Sequence, residues 1–159
     1  MGVFQTGDSW AGFVLRVTLG FVMLPHGAQK LLGWFGGAGF QGTIQIFSEK
    51  LHIHPFLTVL VILSESVGSI GLVLGFFTRV CAFGSLCVMT GAILLVHWPY
   101  GFFMNCYGTQ MGEGFEFHLL AIGISLALLA VGGGRWSVDG AITNALGYRS
   151  RRETRGIRL

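Results

Sequence analysis

The sequence predicts an all-α, multi-pass membrane protein: a four-transmembrane-helix bundle with a short interfacial amphipathic helix between spans one and two. Three observations carry that expectation. Of 159 residues, 52% are hydrophobic and only 11% charged, where an ordinary soluble domain carries roughly a quarter charged residues. Four apolar segments recur along the chain, set apart by polar or glycine-rich connections. Of ten Lys and Arg residues, five lie after Gly147, in YRSRRETRGIRL. This length suits one compact bundle, so the organisation expected is a membrane domain over residues 1–140 and a basic cytoplasmic tail over 141–159.

Span one reads as Trp10–Leu24, stopped or kinked by Pro25 and continuing through HGAQKLLGWF as a tilted or broken helix. The preceding MGVFQTGDSW has no basic n-region, so this span is expected to remain in the mature protein. Between spans one and two, Phe40, Ile44, Phe47 and Leu51 recur at helical spacing, with Gln41, Gln45, Ser48 and Glu49 elsewhere on the helix. That pattern predicts an amphipathic helix lying in the interface or capping the bundle. The glycine-rich GWFGGAGFQG ahead of it follows no strand, so it reads as a turn rather than a phosphate loop.

Span two, Pro55–Phe77, carries one acid, Glu65, near its middle. At about 1.5 Å of rise per residue that carboxyl lies some ~15 Å deep, where charge is costly and marks a functional candidate. Gly71 and Gly75 form a GxxxG suited to close helix packing, within the bundle before a dimer. Span three, Val80–Trp98, follows a very short turn and must run antiparallel to span two. Span four, Phe115–Val131, ends at three glycines and RWSVDG. An even number of spans puts both termini on one side, and the basic tail makes that side the cytoplasm. Arg79 agrees; Lys30 and Lys50 fall outside. Nothing else in the chain supports nucleic-acid binding, and membrane lipid is the expected partner of the tail.

The buried charges are the first candidates for chemistry. Arg16 lies at nearly the height of Glu65 when each is counted from its own end, so an Arg16–Glu65 ion pair is the simplest way to bury both. Such a pair either fixes helix register or forms a working site. The five histidines make a second feature. His26 ends span one, His52 and His54 precede span two, His97 ends span three and His118 begins span four, so all sit at one end of the bundle. Glu113, Glu116 and Lys30 join them. Histidine titrates near neutral pH, which suits proton exchange or headgroup binding at a membrane surface. The ligands are too scattered, with no HxxxH or ExxH pair, to predict a metal. The three cysteines form no CxxC; Cys81 and Cys87 read as buried small hydrophobes. His97-Trp98-Pro99-Tyr100, with Phe102, Phe103 and Tyr107, makes an aromatic belt.

Taken together, Arg16 in span one, HGAQK with WFGG, the mid-span Glu65, LGFFTR, EF at Glu116-Phe117 and WSVD at 136–139 resemble the DoxX family of membrane proteins. The resemblance runs from about Arg16 to Gly140 and implies a four-helix membrane bundle, with relatives that include the quinone-reducing membrane component of a thiosulfate:quinone oxidoreductase. It implies a quinone as the associated cofactor, while the chain carries no haem, flavin or dithiol signature of its own. The expected function is a bacterial inner-membrane subunit of a quinone-linked oxidoreductase system. Glu65, Arg16 and His26 are the candidate catalytic residues, and Lys30, Glu116, His118 and His97 the candidate cofactor-binding ones. Electrons would come from a partner subunit, and a homo-oligomer is compatible with the small-residue faces. Two alternatives stand: a non-catalytic accessory or assembly subunit, and a small-solute or proton transporter, for which no inverted repeat is visible.

Overall fold

The computed structural model describes Thr6 and residues 9–145; most of the N-terminal decapeptide and the basic tail after Gly147 lie outside the described residues. The described chain is helical. Helix α1 spans Trp10–Leu32, begins where the Ser9 side chain accepts from the Gly12 amide, and ends at Gly33 in the left-handed region. Pro25 lies inside it, so the expected continuation through HGAQKLL occurs, without the stop that is its alternative. A proline removes one intrahelical donor, which a helix packed along its length tolerates. The result is one rod of 23 residues, about 35 Å long.

The predicted amphipathic helix is present as α2, Gly39–Leu51. Thr43, on its buried face, donates to the Lys30 carbonyl and so ties α2 to the last turn of α1. His52 closes α2 in a left-handed conformation. Helix α3, Pro55–Leu74, opens with proline in its first turn, and the His54 ring accepts from the Phe56 amide. Two of the five histidines therefore serve helix ends.

Helix α4, Thr78–Ala92, follows the tight turn at Gly75–Phe77 and continues through a wide π turn, Ile93–His97, and a short 3-10 turn, Trp98–Tyr100. Pro99 accounts for the change of winding. It cannot donate to the Leu95 carbonyl and its ring crowds it, so regular winding fails over the preceding turn. Helix α5 spans Glu116–Val131, and a further helix, α6, is described over 138–145.

Helix α3 packs against α1 on one side and α4 on the other, while α5 packs against α4 and α1. Leu19, Met23, Leu72, Ala82, Met89, Ala121 and Leu128 form the core. The α1–α3 crossing is close because glycines stand on it. A Cβ on Gly27 would collide with the Glu65 carbonyl, and one on Gly20 would lie 2.8 Å from the carbonyl oxygen of Ser69. Gly71 and Gly75 also serve the interior, facing Cys81 in one case and Ser137 and Arg16 in the other. Cys87, expected inside, is exposed.

Three helical stretches, Trp10–Leu32, Pro55–Leu74 and Thr78–Tyr100, are long and apolar enough to cross a membrane. Helix α5 is apolar but has 16 residues, about 24 Å against a hydrocarbon core of about 30 Å.

Candidate functional site

The structure separates Arg16 from Glu65, and the expected ion pair does not form. Arg16 is 1% exposed and lies at the end of the bundle formed by the C-termini of α3 and α5. Its guanidinium donates to five backbone carbonyls: Nε to Gly133 at 2.8 Å, Nη1 to Leu72 and Val73, and Nη2 to Arg135 and Trp136. Glu65 lies seven residues before Leu72, about 11 Å farther along α3. The heights match only when span one is cut at Pro25 and both depths are counted from assumed membrane edges.

Carbonyls at helix C-termini hold the cation directly, and the Asp139 carboxylate lies within electrostatic reach of it. The negative end of the helix dipole and the lone pairs of the last turn supply the compensation. Neighbouring groups complete this arginine end. Asp139, 2% exposed, accepts from the Phe77 and Thr78 amides, both at 2.8 Å, and so caps α4. Arg79 donates to the Leu129 and Ala130 carbonyls at the end of α5. Sequence reasoning meets Asp139 only as part of WSVD; its role as the cap of α4 has no signal in spacing.

Glu65 pairs instead with Lys30, Nζ to Oε2 at 2.5 Å. The carboxylate side chain is 5% exposed and the lysine 23%, so the pair has a buried acid and a partly exposed base. His26, one residue before the Gly27 that packs on Glu65, lies within electrostatic reach of both partners. Its ring stands 6.3 Å from that of Phe117. The next residue is His118, buried at 7% exposure, whose ring lies 4.1 Å from that of His97.

One polar cluster thus runs from Glu65 and Lys30 through His26 to His118 and His97. It draws on α1, α3, α4 and α5. Of the histidines, His26 lies within electrostatic reach of the acid, and His118 and His97 lie beyond it. The π turn matters because His97 is its last residue and is brought against His118. His97 Nδ1 lies 2.8 Å from the Glu113 carbonyl; since that oxygen only accepts, Nδ1 carries the proton and Nε2 is the free base in the neutral ring. His118 Nδ1 has no hydrogen-bond partner among the described residues.

Glu116, expected to line the mouth, accepts from the Met104 amide at 3.1 Å, and Glu113 accepts from that of Asn105 at 2.7 Å. Both acids therefore shape the 101–115 connection. Asn105, unremarked in the sequence, closes the same loop by exchanging two hydrogen bonds with Gln110. Trp98, next to His97 in the chain, stacks on Phe115 at 5.6 Å and nearly parallel. A groove of about 330 Å³ on α2, lined by Gln41, Ile44, Gln45, Ser48, Glu49 and Pro55, involves none of these residues.

Chemically, the cluster offers a buried carboxylate able to take a proton, a lysine that compensates its charge, and imidazoles able to move a proton. Arg16 is outside it. No curated protein and no solved structure matches the chain significantly. The family model for DoxX matches residues 11–98, more than half of the chain, from the first turn of α1 to the π turn at His97. The chain belongs to the DoxX family.

Proposed function

We propose that the protein is a quinone-linked subunit of an oxidoreductase system in a bacterial inner membrane, with α5 as a fourth span and both termini cytoplasmic. The observation that carries the reading is the Glu65–Lys30 pair, its carboxylate buried, with His26 in electrostatic reach and the His97–His118 pair beyond it, at one end of the bundle. A proton-accepting acid and imidazoles beside an aromatic wall are what a membrane quinone site needs. Support for the fit comes from His118, whose buried Nδ1 is free to contact a carbonyl or hydroxyl oxygen. Lys30 offers an ammonium, and Trp98 and Phe115 a flat apolar surface. When bound, a quinone supplies two-electron, two-proton acceptor chemistry.

In this reading the electrons come from a partner subunit. Lys30 pairs with Glu65, the proton acceptor; His26 and His118 orient the ligand oxygen; His97 links the cluster to water. Arg16, a catalytic candidate on spacing alone, holds the opposite end of the bundle.

Purification from native membranes followed by lipid extraction tests the idea. The wild-type protein is expected to retain quinone. Glu65→Gln is expected to retain quinone while slowing partner-dependent quinone reduction by about 100-fold, the range for loss of a general acid or base. Protein free of quinone, with Glu65→Gln at wild-type rate, would rule the reading out. The accessory reading draws on one observation, that the arginine end devotes its buried charges to the fold. Full activity of the parent complex carrying Lys30→Leu/Glu65→Leu would favour it.

A further inference from the structure

We propose that Glu65 exchanges protons with one side of the membrane only, the side of the histidines, and that the His97–His118 pair is its entrance. The proposal rests on the reading of this cluster as the working site and adds its sidedness.

The argument begins with hydroxyl groups. From Glu65 to the leucine layer before the arginine end, three buried hydroxyls are each occupied by their own helix. Ser69 donates to the Glu65 carbonyl at 2.6 Å, Ser66 to that of Ile62 at 2.6 Å and Ser125 to that of Ala121 at 2.8 Å. Tied this way they offer no onward relay. Beyond them Leu19, Leu72 and Leu128 are at most 2% exposed and fill the section of the bundle. Arg16 then closes the end with its N–H groups on carbonyls. Thr78 Oγ1, unpartnered at that end, is cut off from Glu65 by this layer.

From Glu65 toward the histidine end the pattern reverses. His118 Nδ1 and Thr58 Oγ1 toward that end, and Ser85 Oγ level with Glu65, are buried and have no partner among the described residues. Buried polar atoms without partners are costly and are ordinarily met by ordered water. Thr58 lies on the same buried face of α3 as Glu65, about two turns nearer the histidine end. Ser85 follows Gly84, which packs against Ser64 beside Glu65. A polar, water-accepting route thus leads one way, and a dry, tied section the other.

The step balances simply. His97 Nε2 takes a proton from hydronium on the histidine side, releasing water; the proton passes to His118 and, by way of His26, to the Glu65 carboxylate. Glu65 becomes a neutral acid and Lys30 loses its counter-charge; no other bond changes. Two rings 4.1 Å apart do not both stay cationic at low cost, so the pair carries one proton at a time. The titratable group facing it is His26 on α1, which in turn faces Lys30 and Glu65; on the connection the Glu113 carbonyl meets His97, while the Glu113 and Glu116 carboxylates are held by the Asn105 and Met104 amides.

The test uses the full chain in proteoliposomes. Cys106 is exposed on the histidine-end connection, so a membrane-impermeant maleimide reports which side that end faces. The infrared carboxyl band that vanishes in Glu65→Gln is then followed after a pH jump on either side. The band is expected to follow the pH of the Cys106 side alone, and to lag by about tenfold or more in His97→Phe. A response to the opposite side, a response to both, or no titration at any pH overturns the proposal. So does an unchanged rate in His97→Phe, a half-exposed position where the fold is less at risk than in His118→Phe. Loss of quinone binding with sidedness intact would count against the quinone and leave this inference standing.

Discussion

Arg16 shows how far residue type and spacing carry an argument, and where they stop. Spacing marks it as a buried charge that needs compensation, and compensation is what the structure supplies. Yet its partners are backbone carbonyls of Leu72, Val73, Gly133, Arg135 and Trp136, and a carbonyl has no letter in the sequence. The only carboxylate at apparently matching height is Glu65, so spacing pairs the two. Lys30 is legible as a neighbour of the histidines but not as a side chain reaching inward to Glu65. The fork of five donors makes a direct prediction. Arg16→Lys keeps the charge but offers three donors and a shorter reach. Losing two charge-assisted hydrogen bonds at about 1.5–3 kcal/mol each should cost about 3 kcal/mol or more. Thermal unfolding in detergent should register a large drop for Arg16→Lys and a smaller one for Arg79→Lys, whose side chain is only half-buried. Equal drops would mean that the carbonyl cradle contributes little.

At the scale of the elements, the periodic patterns are sound guides and the prolines are not. The spacing of Phe40, Ile44, Phe47 and Leu51 locates α2, and the apolar runs locate α3, α4 and α5. Pro25 reads as a stop or a kink in a continuing helix because an isolated helix would weaken there; packing along α3 keeps α1 continuous. Pro99 behaves in the opposite way. In the sequence it is only part of an aromatic belt, while its missing donor sets the π turn that brings His97 to His118. Glycine gives the sharper test of helix packing. Gly27→Ala drives a Cβ into a backbone carbonyl of α3, a clash relieved only by parting the helices. Overpacking of that kind costs about 1–3 kcal/mol, and the separation should also loosen the Lys30–Glu65 pair. Gly123→Ala adds a methyl with nothing within 4 Å of it, and should instead gain about 0.5–1 kcal/mol from the better helix former. Opposite signs in paired melting curves are the expected result; a neutral Gly27→Ala would show that the α1–α3 crossing has room to spare.

For the whole molecule the division of labour is between two ends. The DoxX match stops at residue 98, yet the arginine end is closed by residues from 129 to 139 that lie beyond it. Asp139 is the residue on which that closure converges. Its carboxylate caps α4, its own amide donates to the Gly75 carbonyl at 2.9 Å, and the segment just before it supplies Arg16 with the carbonyls of Gly133, Arg135 and Trp136. Asp139→Ala removes an anionic cap, worth about 1–2 kcal/mol at a helix start, and it also loosens the run of carbonyls that neutralises Arg16. Hydrogen exchange in a lipid nanodisc should therefore quicken at residues 132–145, at the last turn of α3 and at the first turn of α4. The same substitution should leave α2, the start of α3 and the 101–115 connection at wild-type protection, because the hydrogen bonds of Asp139 run to Gly75, Phe77, Thr78 and its own helix. Local opening confined to one end is what two independently tied ends require. Uniform quickening along every helix would mean that the bundle opens as one unit, and the sealed section between Glu65 and the arginine end would then no longer be a barrier of its own.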